Sequence, residues 1–136
     1  MTVKPVTALL CLVAIGLTAC DDAEFDPGRV TGVEWRLESL QRPDGAVLPA
    51  DPGRYTLSLA ADGSARVRSD CNSCGGRYTL SGSSLAVDAL GCTRVFCGDD
   101  SLDQPFIRAL QSARTVDGDE SRLVLSGSEG TLRFVR

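Results

Sequence analysis

The sequence predicts an α+β domain that is mostly antiparallel β: a small incomplete β-barrel of seven to eight short strands with one helix. Three observations predict it. Short segments alternate apolar and polar residues at the strand period. Turns rich in Gly, Asp and Ser separate these segments at hairpin spacing. One segment alone, residues 101–113, repeats its apolar residues at helical spacing.

Val33-Glu34-Trp35-Arg36-Leu37 is the first alternating segment. The stretch QRPDGAVLPADPG, residues 41–53, is dense in Pro, Gly and Asp and reads as a loop. Tyr55, Leu57 and Leu59 alternate with Thr56 and Ser58, and Ala65 and Val67 with Arg66 and Arg68. Between these strands Asp62-Gly63 suits a hairpin turn, because both residues tolerate positive φ. Tyr78 and Leu80, then Leu85 and Val87, flank a second hairpin centred near Gly82. In 101–113, Leu102, Phe106, Leu110 and Ala113 share a stripe that packs on the sheet. Ser101 or Asp103 can cap its start, and Pro105 is tolerated in a first turn. Strands through Val116, through Leu123 and Leu125, and through Leu132 and Phe134 close the chain.

Ahead of this domain stands MTVKPVTALLCLVAIGLTAC. Lys4 is a basic n-region, and the 13 residues Pro5–Leu17 are too short for a helical span but fit a secretory h-region. Leu17-Thr18-Ala19-Cys20 reads as a lipobox, which makes Cys20 the lipidated first residue of a mature protein held at a membrane by its acyl chains. The expected organisation is a lipoprotein signal peptide at 1–19, a lipidated acidic tether at 20–31 and a folded domain at 32–136. The expected address is the bacterial cell envelope, facing the periplasm. Asp21 after the lipidated cysteine resembles the inner-membrane signal of enteric-type lipoproteins, and the inner and outer membranes both stay open as the seat of the anchor.

Composition excludes several functions. The sequence has no His, so it lacks a Ser-His-Asp or Cys-His unit and His metal ligands. Without residues 1–19 it has no Lys, which removes a Schiff-base lysine, and 13 Arg face 18 Asp and Glu for a side-chain charge of −5. That balance disfavours a nucleic-acid partner. The acidic turns Asp99-Asp100 and Asp117-Gly118-Asp119-Glu120 miss the calcium-loop spacing. No catalytic residue, metal or cofactor is expected.

Cys71, Cys74, Cys92 and Cys97 form an even set in an exported chain, which reads as disulfides. Folding the hairpin about Gly82 brings Cys74 near position 91 or 92 and Cys71 towards Cys97. The nested pairs Cys71–Cys97 and Cys74–Cys92 therefore fit best. The alternatives are a thiol redox pair, Cys71-x-x-Cys74, and a four-cysteine zinc site. A redox pair usually starts a helix, and none is expected here. An oxidising compartment would capture zinc-binding thiols as disulfides.

Trp35 in a first strand, Cys71-Asn72-x-x-x-Gly76-x-Tyr78, Leu85, Thr93-Arg94-x-x-Cys97, a helix and a closing Leu-x-Leu hairpin together resemble the META domain family, the heat-inducible HslJ-type lipoproteins. The resemblance spans residues 32–136. Asp70 stands where the family often has Gly, and Val95-Phe96 stands where it often has Met-Ala. Cys74 and Cys92 resemble the extra pair of a cysteine-rich variant. The resemblance implies an incomplete antiparallel barrel with one helix and a non-catalytic envelope protein, associated with stress and antibiotic tolerance or with virulence and secretion. It brings no catalytic residues. Trp35, Asn72, Gly76, Tyr78, Thr93 and Arg94 match its motif in structural roles, with Asn72 expected to make a turn or bulge on its own backbone and Tyr78 to be half-buried with its hydroxyl paired. The expected partners are the membrane, through Cys20, and an envelope protein or an apolar ligand in the barrel mouth.

Overall fold

The structure, a computed structural model, describes residues 25–136. The expected signal peptide at residues 1–19, Cys20 and Asp21 lie outside the described residues. Alternation of buried and exposed residues makes each strand two-faced, and ten strands bury their apolar faces in one antiparallel sheet. They are β1 (Glu34–Gln41), β2 (Val47–Pro49), β3 (Tyr55–Leu59), β4 (Ser64–Ser69), β5 (Asn72–Ser81), β6 (Ser84–Val87), β7 (Gly91–Cys92), β8 (Ala113–Gly118), β9 (Arg122–Gly127) and β10 (Gly130–Val135). One helix, α1 (Asp103–Ser112), precedes β8.

Eight strands run around a barrel in the order β1-β3-β4-β5-β6-β8-β9-β10, and β10 pairs back onto β1. The weak seam lies between β6 and β8. They share one residue pair, Ser84 with Thr115, and a bond from the Val116 N–H to the Ser83 carbonyl at 2.9 Å. The helix covers this gap by packing on β4, β6, β9 and β10 through Phe106, Ala109 and Leu110. The barrel is thus incomplete in its hydrogen bonding and closed in its packing.

The interior is filled. Trp35, Phe106 and Phe134 are its largest fully buried side chains. Tyr55 meets Phe106 edge-on at 5.5 Å between ring centroids, and Phe106 meets Phe134 at 6.2 Å. Such aromatic contacts add about 0.5–1.5 kcal/mol each beyond burial. No buried side-chain nitrogen or oxygen among the described residues lacks a hydrogen-bond partner.

Three expectations shift. The tether expected at 20–31 is partly recruited into the fold. Pro27–Arg29 make a 3₁₀ turn, Val30 is fully buried, and the Trp35 indole N–H donates to the Val30 carbonyl at 2.9 Å. The Trp35 indole needs an acceptor in the core, and the chain before residue 32 supplies it. The loop at 41–53 contains β2, which takes the free edge of β1 beside Leu40 and Gln41. The helix begins at Asp103 rather than Ser101. Its N-cap Leu102 makes no side-chain cap bond, and its N–H instead donates to the Tyr55 hydroxyl at 2.8 Å. The stripe accordingly buries Ala109 in place of Leu102.

Candidate functional site

Residues 71–76 and 90–98 face each other across β5 and β7, and nearly all the motif residues meet there. Cys71 is bonded to Cys97 and Cys74 to Cys92. Cys71 is exposed, whereas Cys74 belongs to the core. The register explains the second bridge. Tyr78 pairs with Val87 but Cys74 pairs with Cys92, so one extra residue is accommodated between β6 and β7.

Asn72 is the hub. Its Oδ1 accepts from the Val95 N–H at 2.8 Å and from the Thr93 hydroxyl at 3.0 Å. Its Nδ2 donates to the Val95 carbonyl at 3.0 Å and to Asp103 Oδ2 at 3.2 Å. Thr93 also accepts the Ser73 N–H at 3.0 Å on its hydroxyl. Asn72 therefore braces another segment rather than turning its own backbone, because β5 already occupies that backbone. Gly76 leaves room for Leu90, whose Cδ2 would stand 2.9 Å from an added Cβ. The buried Tyr78 donates its hydroxyl to the Ala60 carbonyl at 2.6 Å.

Asp70 explains its own departure from Gly. Its φ is +58°, the left-handed region that Gly occupies freely and Asp tolerates. Here the carboxylate repays that strain. Arg54 donates to it twice, at 2.9 and 2.6 Å, and the Tyr55 hydroxyl donates to Oδ2 at 3.3 Å. Burial pushes the Asp70 carboxyl up, but bonds from Ser101 and Arg54 outweigh it and hold the carboxyl below its ordinary value. The same Tyr55 hydroxyl receives the Leu102 N–H, so this cluster ties the barrel to the start of α1.

These braces present the loop Thr93–Cys97 as a fixed ledge. On it Val95 is 59% exposed and Phe96 is 79% exposed. Between ledge and helix runs a groove of about 610 Å³ whose lining includes Leu90, Arg94, Val95, Phe96, Ile107 and Arg108. Arg94 is exposed at the groove rather than tied into the brace. Among the described residues no group of His, Cys, Asp or Glu is arranged to hold a metal ion, and no helix is long and apolar enough to cross a membrane.

Sequence reasoning missed Arg54, Tyr55 and Asp70 as one cluster, and Val95 and Phe96 as an exposed pair. Asp at a position where the resembling family often has Gly was the available signal for the first.

No curated protein matches the chain. Three solved structures are similar to it. A protein from Burkholderia xenovorans, solved by NMR, is 20% identical with a TM-score of 0.67, over 100% of this chain and 98% of its own. A crystallised DUF4847 family protein from Bacteroides vulgatus is 15% identical with a TM-score of 0.58, over 78% and 93%. A further NMR structure is 23% identical with a TM-score of 0.65, over 82% and 94%. These likenesses show the fold. Residues 28–136 match the META domain, which at a coarse level supports a lipoprotein-type envelope protein. With that match across the whole barrel, its helix and the braced Asn72 site, the chain belongs to the META domain family.

Proposed function

We propose that this is a non-catalytic protein of the bacterial cell envelope, lipid-anchored through Cys20 and facing the periplasm, which binds a protein partner in the groove between α1 and the Thr93–Cys97 ledge. The observation that carries this reading is Phe96: a large aromatic side chain left 79% exposed on a segment fixed by two disulfides and by Asn72. Exposed aromatic anchors on rigid ledges suit protein interfaces, where they bury area with little loss of conformational freedom. The filled barrel supports a protein partner over an apolar ligand held inside. The redox and zinc readings need Cys71 and Cys74 free as a set, and each is bonded to a different cysteine. Asp21 favours the inner membrane as the seat of the anchor, and stress or antibiotic tolerance is the process such an interface would serve.

The test places a photo-cross-linking residue at position 96 in living cells, with position 47, also exposed, as control. A discrete adduct from 96 and none from 47 is expected, and Phe96→Ser should abolish any stress tolerance the gene confers. Full complementation by Phe96→Ser would refute the interface. Fatty-acid labelling that survives Cys20→Ser would refute the anchor.

A further inference from the structure

Residues 91–95 have one bonded edge and one bare edge. Towards β5, Gly91 pairs with Gly75, and the Thr93 N–H donates to the Ser73 carbonyl at 3.0 Å. The N–H and carbonyl of Val95 both bond the Asn72 side-chain amide, at 2.8 and 3.0 Å. Every second residue therefore turns its backbone to β5, and Cys92 and Arg94 between them turn theirs the other way. The Cα atoms of Cys74 and Cys92 confirm this alternation by lying 4.1 Å apart. Antiparallel partners that exchange no hydrogen bonds stand about 4.5 Å apart, whereas bonded ones stand about 5.5 Å apart.

The bare edge opens into the groove. Cys92 and Arg94 line one wall, and Ile107 and Arg108 of α1 line the other. β7 pairs with β5 alone, and the backbone of Arg94 makes no hydrogen bond among the described residues. Two donors and two acceptors thus border a space of about 610 Å³, a size that takes a small ligand or a short peptide. Leu90 and Ile107 line it as partly buried apolar residues. Two disulfides and Asn72 fix the edge, so it is ordered before anything binds.

Donors and acceptors at alternate residues fit another extended backbone, which presents the same repeat. The walls narrow the choice. A second copy holds the same edge behind its own α1, so two folded barrels meet wall to wall. β2, at the end of the sheet, carries Pro49, which has no N–H to give. A single unpaired segment can enter where a barrel cannot. We propose that an extended segment of a partner protein adds to β7 as a further strand inside the groove. Its backbone bonds Cys92 and Arg94, and its alternate apolar side chains rest on Leu90 and Ile107. This inference rests on the groove interface proposed above and specifies how the partner sits in it.

Two measurements test it. The first is amide hydrogen exchange on the chain from residue 20 onward with Cys20→Ser, which keeps the whole core from Val30 to Phe134. Cys92 and Arg94 should exchange at least about tenfold faster than Thr93 and Val95. Equal protection of all four would overturn the bare edge and the inference with it. The second uses the photo-cross-linking residue at position 96 in cells. Arg94→Pro removes the outward N–H and leaves the inward bonds of Thr93 and Val95 in place. Its adduct yield should fall about tenfold below that of Arg94→Ala, which loses the same side chain but keeps the N–H. Circular dichroism and disulfide mapping check that both variants are folded. Equal yields from the two would overturn the added strand and leave the groove as an interface of another kind. An adduct of twice the chain's mass would assign the groove to a second copy and overturn the partner named here. No adduct from 96 in the otherwise unaltered protein would refute the groove reading itself, and this inference with it.

Discussion

Asn72 and Val95 are joined by a reciprocal pair of hydrogen bonds. The Val95 N–H donates to Asn72 Oδ1 at 2.8 Å, and Asn72 Nδ2 donates to the Val95 carbonyl at 3.0 Å. A side-chain amide here pairs with a backbone as a neighbouring strand would. Asn72→Ala leaves the part-buried Val95 N–H and carbonyl without their partner and should cost about 1–3 kcal/mol. Asn72→Asp keeps the acceptor, loses the donor and sets a second carboxylate against Asp103, so it should also destabilise. Chemical denaturation measures both. A loss below about 0.5 kcal/mol for Asn72→Ala would show that the disulfides alone hold the ledge.

Asp70 gives the domain an acid-sensitive joint. Its folded-state carboxyl lies below the ordinary value, so its stabilisation is complete above the unfolded value of about 3.9 and is lost as pH falls through the folded value. Asp70→Asn keeps a residue that tolerates φ +58° but loses the charged pair with Arg54. At neutral pH it should be less stable by about 1–3 kcal/mol. Its stability should also fall less steeply with acid than the wild type's. Asp62 and Asp119, held low by hydrogen bonds from Ser64 and Ser121, leave part of the acid dependence in place. Parallel curves for the two proteins between pH 5 and pH 2 would contradict the assignment.

The two bridges should open in order. Each closes a loop worth about 3 kcal/mol in the chain-entropy model, with sequence separations of 26 and 18. Thiol attack also depends on access, and Cys71 is exposed while Cys74 is 7% exposed. Under mild reductant Cys71–Cys97 should be reduced first, which timed alkylation with mass spectrometry resolves. Simultaneous reduction would mean that opening is global.

Two glycines separate a soft contact from a hard one. A Cβ at Gly76 would meet the end of the Leu90 side chain, which can move, so Gly76→Ala should cost about 1 kcal/mol. A Cβ at Gly127 would press into the Ser112 carbonyl and the Ala113 Cα, both backbone at the helix-to-β8 corner. Gly127→Ala should fail to fold or melt far below the wild type. Similar melting temperatures for the two variants would contradict the contact geometry.

Much of this fold was legible because the residues acted locally. Asp62-Gly63 turns the chain where such a pair should, with Gly63 at φ +85°, and Phe106 and Leu110 sit on the buried side of α1. What stayed hidden depended on distant partners. β2 is three residues in a proline-rich stretch, and only the free edge of β1 makes it a strand. The helix start moved because Tyr55, 47 residues earlier, supplies the acceptor for Leu102. Asn72 was recognised as a motif residue, but its role needed a partner across the fold. The exposure of Phe96 has no periodic signal, since an apolar residue in a short loop reads the same whether it is covered or bare.

The pairing of β1 with β10 joins the first strand to the last, Arg36 with Val135 and Gln41 with Thr131. A chain synthesised or threaded from its N-terminus therefore holds one edge of β1 without a neighbour until β10 emerges. Closure of the barrel waits for β10, as slow, non-local pairing requires. A product that stops before Gly130 lacks Leu132 and Phe134 from the core and bares the edges of both β1 and β9. Such an open edge invites pairing with other chains, so unfinished copies would be marked by aggregation or degradation while finished ones seal themselves.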